Sequence, residues 1–184
     1  MMVSLDGFFE GKDHDLRWHN VDGEFNTFAA EQLDEVDTLL FGRKTYELMA
    51  SFWPTYQPKM KETADAEVAQ KMNSLTKIVC SRTLSSAPWG QQEDSIIIFN
   101  DNSAAEIMKL KQHSGKDIAL LGSNNLSVSL FSQGLIDEVR IMINPVAIGE
   151  GTRLFEGMAG KLDFKLTKTR IFTSGNVLLR YLPS

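Results

Sequence analysis

Asp117-Ile118-Ala119-Leu120-Leu121-Gly122-Ser123-Asn124-Asn125 is followed by Leu126-Ser127-Val128-Ser129-Leu130-Phe131-Ser132-Gln133-Gly134 and by Leu135-Ile136-Asp137-Glu138-Val139-Arg140-Ile141-Met142-Ile143-Asn144-Pro145. Ile118–Leu121 is a continuous apolar run, the pattern of a strand buried on both faces. Gly122 ends it and lets the backbone turn sharply. Ser123, Asn124 and Asn125 are N-cap residue types. Leu126, Leu130 and Phe131 recur at helical spacing, and Gly134 supplies a left-handed stop. Val139, Ile141 and Ile143 then alternate against Glu138, Arg140 and Met142, as in a strand. The stretch reads as a strand–helix–strand unit with a glycine at the first junction. A junction of this kind aims backbone N–H groups and the positive end of a helix dipole beyond the sheet edge, where phosphate is the usual guest.

The pattern repeats outward. Met1–Leu5 reads as the end of a strand turned by Asp6-Gly7, and Phe8–Asn20 as a polar loop carrying His14, Trp18 and His19. Asp22–Val36 has a helical apolar face of Phe25, Phe28, Ala29 and Leu33. Thr38–Phe41 is a short buried strand closed by Gly42, and Arg43–Phe52 the next helix, broken by Trp53-Pro54. Lys61–Met72 reads as a charged, solvated helix. Lys77–Cys80 and Ser95–Phe99 are strands, separated by a loop over Ser81–Asp94, and Ser103–His113 is a helix. Leu162–Phe172 and Asn176–Leu182 flank Thr173-Ser174-Gly175 as a hairpin. Alternating strands and helices imply an α/β three-layer sandwich: a mostly parallel central sheet with an antiparallel C-terminal edge hairpin.

The 184 residues suit a single domain, 1–184. The single Cys80 forbids an internal disulfide or a multi-cysteine zinc site. A reducing, cytoplasmic setting is expected. The net charge of −5, with no long basic run, argues against nucleic acid. No apolar stretch approaches a membrane span. His14, His19 and His113 share no metal-ligand spacing, so no metal site is expected.

Gly42 and Gly122 both end strands that feed helices, and ligands of parallel sheets bind beyond the strands' carboxyl ends. Arg43 and Lys44 open the first of these helices, ahead of Thr45. Positive charge there costs up to about 1 kcal/mol, which a bound anion would remove. Ser81-Arg82-Thr83, after another strand, adds a third candidate anion contact. Each feature has a plainer reading: Gly122 as a tight turn, Asn124 as a cap, Arg43 and Lys44 as solvated surface charges, Cys80 as a small core residue. Gly149-Glu150-Gly151 lacks the third glycine and the helix of a dinucleotide fingerprint, and reads as a turn.

The order Ser4-Leu5-Asp6-Gly7, Gly42-Arg43-Lys44-Thr45-Tyr46-Glu47, Leu121-Gly122-Ser123, Gly134-Leu135-Ile136-Asp137-Glu138 and Pro145–Gly151 with Leu154-Phe155 resembles the dihydrofolate reductase superfamily. It is most similar to the branch typified by the reductase domain of the bifunctional riboflavin-biosynthesis deaminase-reductase. The resemblance covers essentially the whole chain. It implies NADPH binding and hydride transfer to a heterocycle or a sugar carbonyl, in a small substrate that is pteridine- or ribosylamino-pyrimidine-like. A non-catalytic NADP(H)- or pterin-binding protein is the alternative.

By this resemblance Gly42, Arg43, Lys44 and Thr45 match the helix start beside the cofactor's phosphates. Ser81 and Arg82 match the loop at its adenosine end. Gly122, Ser123, Asn124, Asn125 and Leu126 match the turn under the pyrophosphate. Ser4 and Asp6 fall where nicotinamide and substrate would meet. Asp6 is the first candidate for placing substrate or relaying a proton and Asp22 the second, with a plain Asp-Gly turn as the other reading of Asp6. Val21 stands where the folate enzymes carry a proline, and Asp22 and Glu24 only bracket the position of their carboxylate, which counts against folate as the substrate. A homodimer is expected, because Ile136–Asn144 and the C-terminal hairpin supply apolar strands near a sheet edge.

Overall fold

The computed structural model describes residues 1–60, 63–91 and 96–184. Lys61, Ser95 and Asp94, which begin or end three of the expected elements, lie outside them. The chain forms two compact units: Met1–Glu24 with Ser127–Ser184, and Phe25–Leu126.

The second unit holds a four-stranded, wholly parallel sheet. The chain first builds β1 (Met2–Ser4), β2 (Phe8–Gly11) and α1 (Gly23–Asp34), then β3 (Val36–Gly42), α2 (Arg43–Phe52), α3 (Ala64–Ser74), β4 (Thr76–Cys80), β5 (Ile97–Phe99), α4 (Ser103–Leu110) and β6 (Asp117–Leu120). The sheet order is β5-β4-β3-β6. Its two inner strands carry the unbroken apolar runs that burial on both faces requires: Leu39, Phe41 and Val79 are fully buried. Phe41 stacks on Trp89, ring centroids 6.3 Å apart, and Tyr46, Val68, Met72 and Ala87 complete the core. Burying each large side chain stabilises by about 1.5–3 kcal/mol.

Two expectations are corrected here. Strand β6 stands at the sheet's edge and is only half-buried, so it is not enclosed on both faces. Helix α3 is not merely solvated: Val68, Ala69 and Met72 are buried, because their spacing sets all three on one apolar stripe, while Glu67 and Lys71 fall away from it.

The first unit is mainly antiparallel. After α5 (Asn124–Ser132) come β7 (Val139–Asn144), β8 (Gly151–Arg153), β9 (Phe164–Ile171) and β10 (Val177–Pro183). One sheet has the order β1-β7-β10-β9, with β1 parallel to β7 and the other pairs antiparallel. The C-terminal hairpin therefore stands at a sheet edge, as the sequence implies, turning at Gly175 with φ +88°. The strand–helix–strand reading of the central stretch fails in one respect: β6 pairs with β3, whereas β7 pairs with β1 and β10. Met142 is also not on a polar face, being 3% exposed; it faces away from its half-buried neighbours Ile141 and Ile143.

A third, two-stranded sheet joins β2 to β8 inside what reads as a polar loop. Gly151 has to be glycine there, since a Cβ would lie 2.0 Å from the Glu10 carbonyl oxygen. Three asparagines tie the first unit together internally. Asn144 accepts the Asn20 N–H at 2.8 Å, Asn176 donates to the Asn20 carbonyl at 2.8 Å, and Asn20 donates to the Ser174 carbonyl at 3.1 Å. Asn144 and Asn176 are fully buried, where a polar group is tolerated only with such partners.

Candidate functional site

Strand register assembles the site in the second unit. Leu40 pairs with Ile78 on one side and Leu120 on the other. Gly42 pairs with Cys80, and Cys80 with Phe99. Gly122 follows Leu120 by two residues, as Gly42 follows Leu40. Gly42, Cys80, Phe99 and Gly122 therefore stand level at the carboxyl end of the sheet. Arg43, Ser81 and Ser123 each open the segment that leaves it.

The two glycine junctions are interlocked. Ser123 Oγ accepts the Gly42 N–H at 2.8 Å and lies 2.9 Å from Thr45 Oγ1. A Cβ on Gly42 would sit 2.3 Å from that same Oγ, and one on Gly122 would sit 2.9 Å from Thr45 Cγ2. Each glycine is thus required by a side chain from the other junction. Gly122 also has φ +66° and Ser123 φ +60°, in the left-handed region. For serine that conformation costs about 1–2 kcal/mol.

Arg43 is exposed and donates to both carboxylate oxygens of Glu47, one turn on, at 3.0 and 3.2 Å. Part of the unfavourable charge at the start of α2 is therefore offset within the helix, by a residue the sequence reading did not single out as its partner. Gly42 gives α2 no side-chain cap. Lys44 and Arg82 are exposed. Ser81 shapes the loop that presents Arg82: its hydroxyl accepts the N–H groups of Thr83 and Leu84 at 3.2 and 3.1 Å. Cys80, beside Gly42, has its thiol pushed up to about 11 by burial and is no thiolate at neutral pH. Asn124 is buried, Asn125 exposed and Leu126 half-buried.

Ser4, Asp6 and Asp22 belong to the other unit. Ser4 is 1% exposed and its oxygen accepts the Phe8 N–H at 3.0 Å. Asp6 ends β1 in a turn closed by the Gly7 N–H on the Ser4 carbonyl, with Gly7 at φ +83°. Its carboxylate accepts the N–H of Gly149 at 2.8 Å and of Ile148 at 3.2 Å. A hydrogen bond from the Ser4 hydroxyl, then those from Gly149 and Ile148, hold its pKa down at about 2. Asp6 is therefore ionised at neutral pH and cannot donate a proton from this geometry. Asp22 is half-buried, immediately before α1. Glu24 accepts the Thr173 N–H at 2.8 Å, tying the start of α1 to the hairpin turn. His19, in the same unit, is kept neutral by burial, its pKa lowered to about 4.

Asn20, Asn144 and Asn176 were not among the candidate residues. The signal for Asn144 is an asparagine closing an apolar strand before proline. No group of three His, Cys, Asp or Glu side chains among the described residues is placed to hold a metal. No helix among them is long and apolar enough to cross a membrane.

The chain is 36% identical over 182 residues to the uncharacterized protein YyaP of Bacillus subtilis, covering 98% of this chain and 91% of that one. Its fold is similar to that of a putative riboflavin biosynthesis protein from Shewanella sp. PV-4, with a TM-score of 0.74 at 23% identity over 100% of this chain and 96% of that one. It is also similar to dihydrofolate reductase from Enterococcus faecalis, a structure complexed with NADP(H), with a TM-score of 0.62 at 15% identity over 100% and 93% of the two chains. Residues 1–178 match the model of the RibD C-terminal domain, and the chain belongs to that family.

Proposed function

We propose that the chain is an NADPH-dependent reductase acting on a small pteridine- or ribosylamino-pyrimidine-like heterocycle, with 1–184 working as one domain. The observation that carries the reading is the interlocked pair of glycine junctions at the level carboxyl ends of four parallel strands. Two helix starts and two arginines lie at that edge, and the backbone N–H groups of a helix start beyond a parallel strand are where a phosphate binds. This donor set fits a dinucleotide phosphate. The first turns of α2 and α5 would hold the pyrophosphate, and Arg82, helped by Arg43, the 2′-phosphate.

When bound, NADPH supplies a hydride; the protein's part is to orient it, at about 3–3.5 Å from its acceptor, and to exclude water. Asp6, held ionised, fits an orienting role better than a proton-donating one. By fixing Ile148 and Gly149 it sets the backbone of the loop that leaves β7. Asp22 stays the candidate for the proton. A homodimer completes the proposal. Ile171 and Leu166, on edge strand β9, are 77% and 49% exposed and lie opposite Val177 and Tyr181, on the apolar sheet face that carries Val139 and Ile141.

The test is NADPH consumption, followed by absorbance, against a panel of pteridines and ribitylamino- and ribosylamino-pyrimidines. Stoichiometric oxidation with one class supports the reading. Tight NADPH binding with no oxidation across the panel favours the binding-protein alternative.

A further inference from the structure

Ser123 departs from what its position asks for. With φ +60° it occupies a conformation that suits glycine, and it directly follows Gly122, also left-handed at φ +66°. A serine at the start of a helix ordinarily turns its oxygen onto that helix's own first N–H groups. Here the oxygen serves the neighbouring junction: it accepts the Gly42 N–H at 2.8 Å and lies 2.9 Å from Thr45 Oγ1. The interlock is reciprocal, because Thr45 in turn fills the space over Gly122.

We infer that Ser123 is a positioning residue whose hydroxyl holds the two strand-to-helix junctions as one rigid cradle, at the cost of backbone strain at its own position. The inference rests on the cofactor reading above and extends it: Ser123 acts through Gly42 and Thr45, not as a ligand. Strain retained at a site where a glycine would be more comfortable is the signature of a conformation held for function. With the hydroxyl removed, α2 and α5 remain, but their starts are no longer fixed relative to each other.

Ser123→Gly separates this role from plain stability. It loses two hydrogen bonds and regains a relaxed backbone, effects of opposite sign and similar size, so its melting temperature stays within about 2 °C of the parent. Ser123→Ala keeps the strain and loses the hydroxyl, so it melts lower. NADPH affinity, titrated calorimetrically on the full chain, falls about five- to tenfold in both, the worth of one or two hydrogen bonds. Exchange of the Gly42 amide, followed by NMR, accelerates at least about tenfold in Ser123→Gly as its acceptor disappears. Parental NADPH affinity in Ser123→Gly overturns the inference, and so does unchanged Gly42 exchange. If the parent binds no NADPH, the cofactor reading falls, and the Gly42 exchange rate alone decides whether the interlock exists.

Discussion

The Asp6 carboxylate accepts the backbone N–H of Gly149 at 2.8 Å, across 143 positions of sequence. A turn aspartate at the end of the first strand thereby fixes the loop that follows β7. Its folded pKa, about 2, lies below the ordinary 3.8. A carboxyl depressed on folding stabilises the native state above its unfolded pKa and loses that contribution as pH falls through the folded one. Asp6→Asn should therefore lower the melting temperature at pH 7, and the difference from the parent should close between about pH 4 and pH 2. Turnover should fall with it while NADPH affinity stays within about twofold, since Asp6 is not among the residues proposed to hold the phosphates. Thermal melts across pH check the first point; an unchanged melt at pH 7 would make Asp6 a dispensable turn residue.

Gly42→Ala drives a Cβ to 2.3 Å from Ser123 Oγ. Overpacking of this kind costs about 1–3 kcal/mol, or roughly 3–10 °C in a chain of this length. Adding Ser123→Gly removes the obstructing oxygen and should recover more than half of the loss. Gly122→Ala should not be rescued by the same change, because its φ of +66° disfavours any side chain. A double-mutant cycle by thermal melts measures the coupling; strict additivity at Gly42 and Ser123 would contradict the interlock.

Lys77 is 5% exposed. Its ammonium donates to the carbonyls of Asn73 and Leu75 at 2.9 and 2.7 Å and lies 4.8 Å from the Trp89 ring centroid. Burial lowers its pKa from 10.5 to about 8. Between these values the unfolded chain binds more protons than the folded one, so this group makes stability rise with pH across that window. Lys77→Met should flatten the rise between pH 8 and pH 10 while leaving the helix cap weaker at pH 7. A parental profile in the variant would show that Lys77 keeps an ordinary pKa.

Ile171 and Leu166 differ by five positions, an odd spacing that should set them on opposite faces of β9. A bulge opposite Arg180 and Tyr181 puts both on one face, beside the groove lined by Val139, Ile141, Phe155, Phe164 and Tyr181. Sedimentation at micromolar concentration should show a dimer, and Ile171→Lys a monomer with parental helix content. A parental monomer would remove this part of the account.

Much of this was legible from residue types. Helix α2 runs from Arg43 to Phe52 as read, because a glycine before it and Trp53-Pro54 after it are local signals. The level strand ends followed from alternation of strands and helices. Pairings between distant segments were not legible. The β2–β8 ladder joins four residues to three others some 140 positions away, and nothing in Phe8–Gly11 announces a partner. Periodicity tells which way a strand's side chains alternate, not which neighbour it takes, so the separation of β6 from β7 was invisible. The reason that Gly42 is glycine lies in Ser123, and only the folded chain brings them together.

Cofactor selectivity bears most directly on the central claim. Arg43 is already engaged by Glu47, so Arg82 should carry the larger share of any 2′-phosphate contact. A charged hydrogen bond is worth about 1.5–3 kcal/mol, or roughly 10- to 150-fold, reduced at an exposed site and by salt. Calorimetric titration with NADPH and NADH, at low and high salt, on the parent, Arg82→Ala, Arg43→Ala and Glu47→Gln is the decisive measurement. The account predicts a parental preference for NADPH of at least about tenfold, weakened by salt. Arg82→Ala should largely abolish it, Arg43→Ala should reduce it less, and Glu47→Gln, which releases Arg43, should raise it. Equal affinity for the two cofactors, untouched by either arginine, or no binding of either, would contradict it.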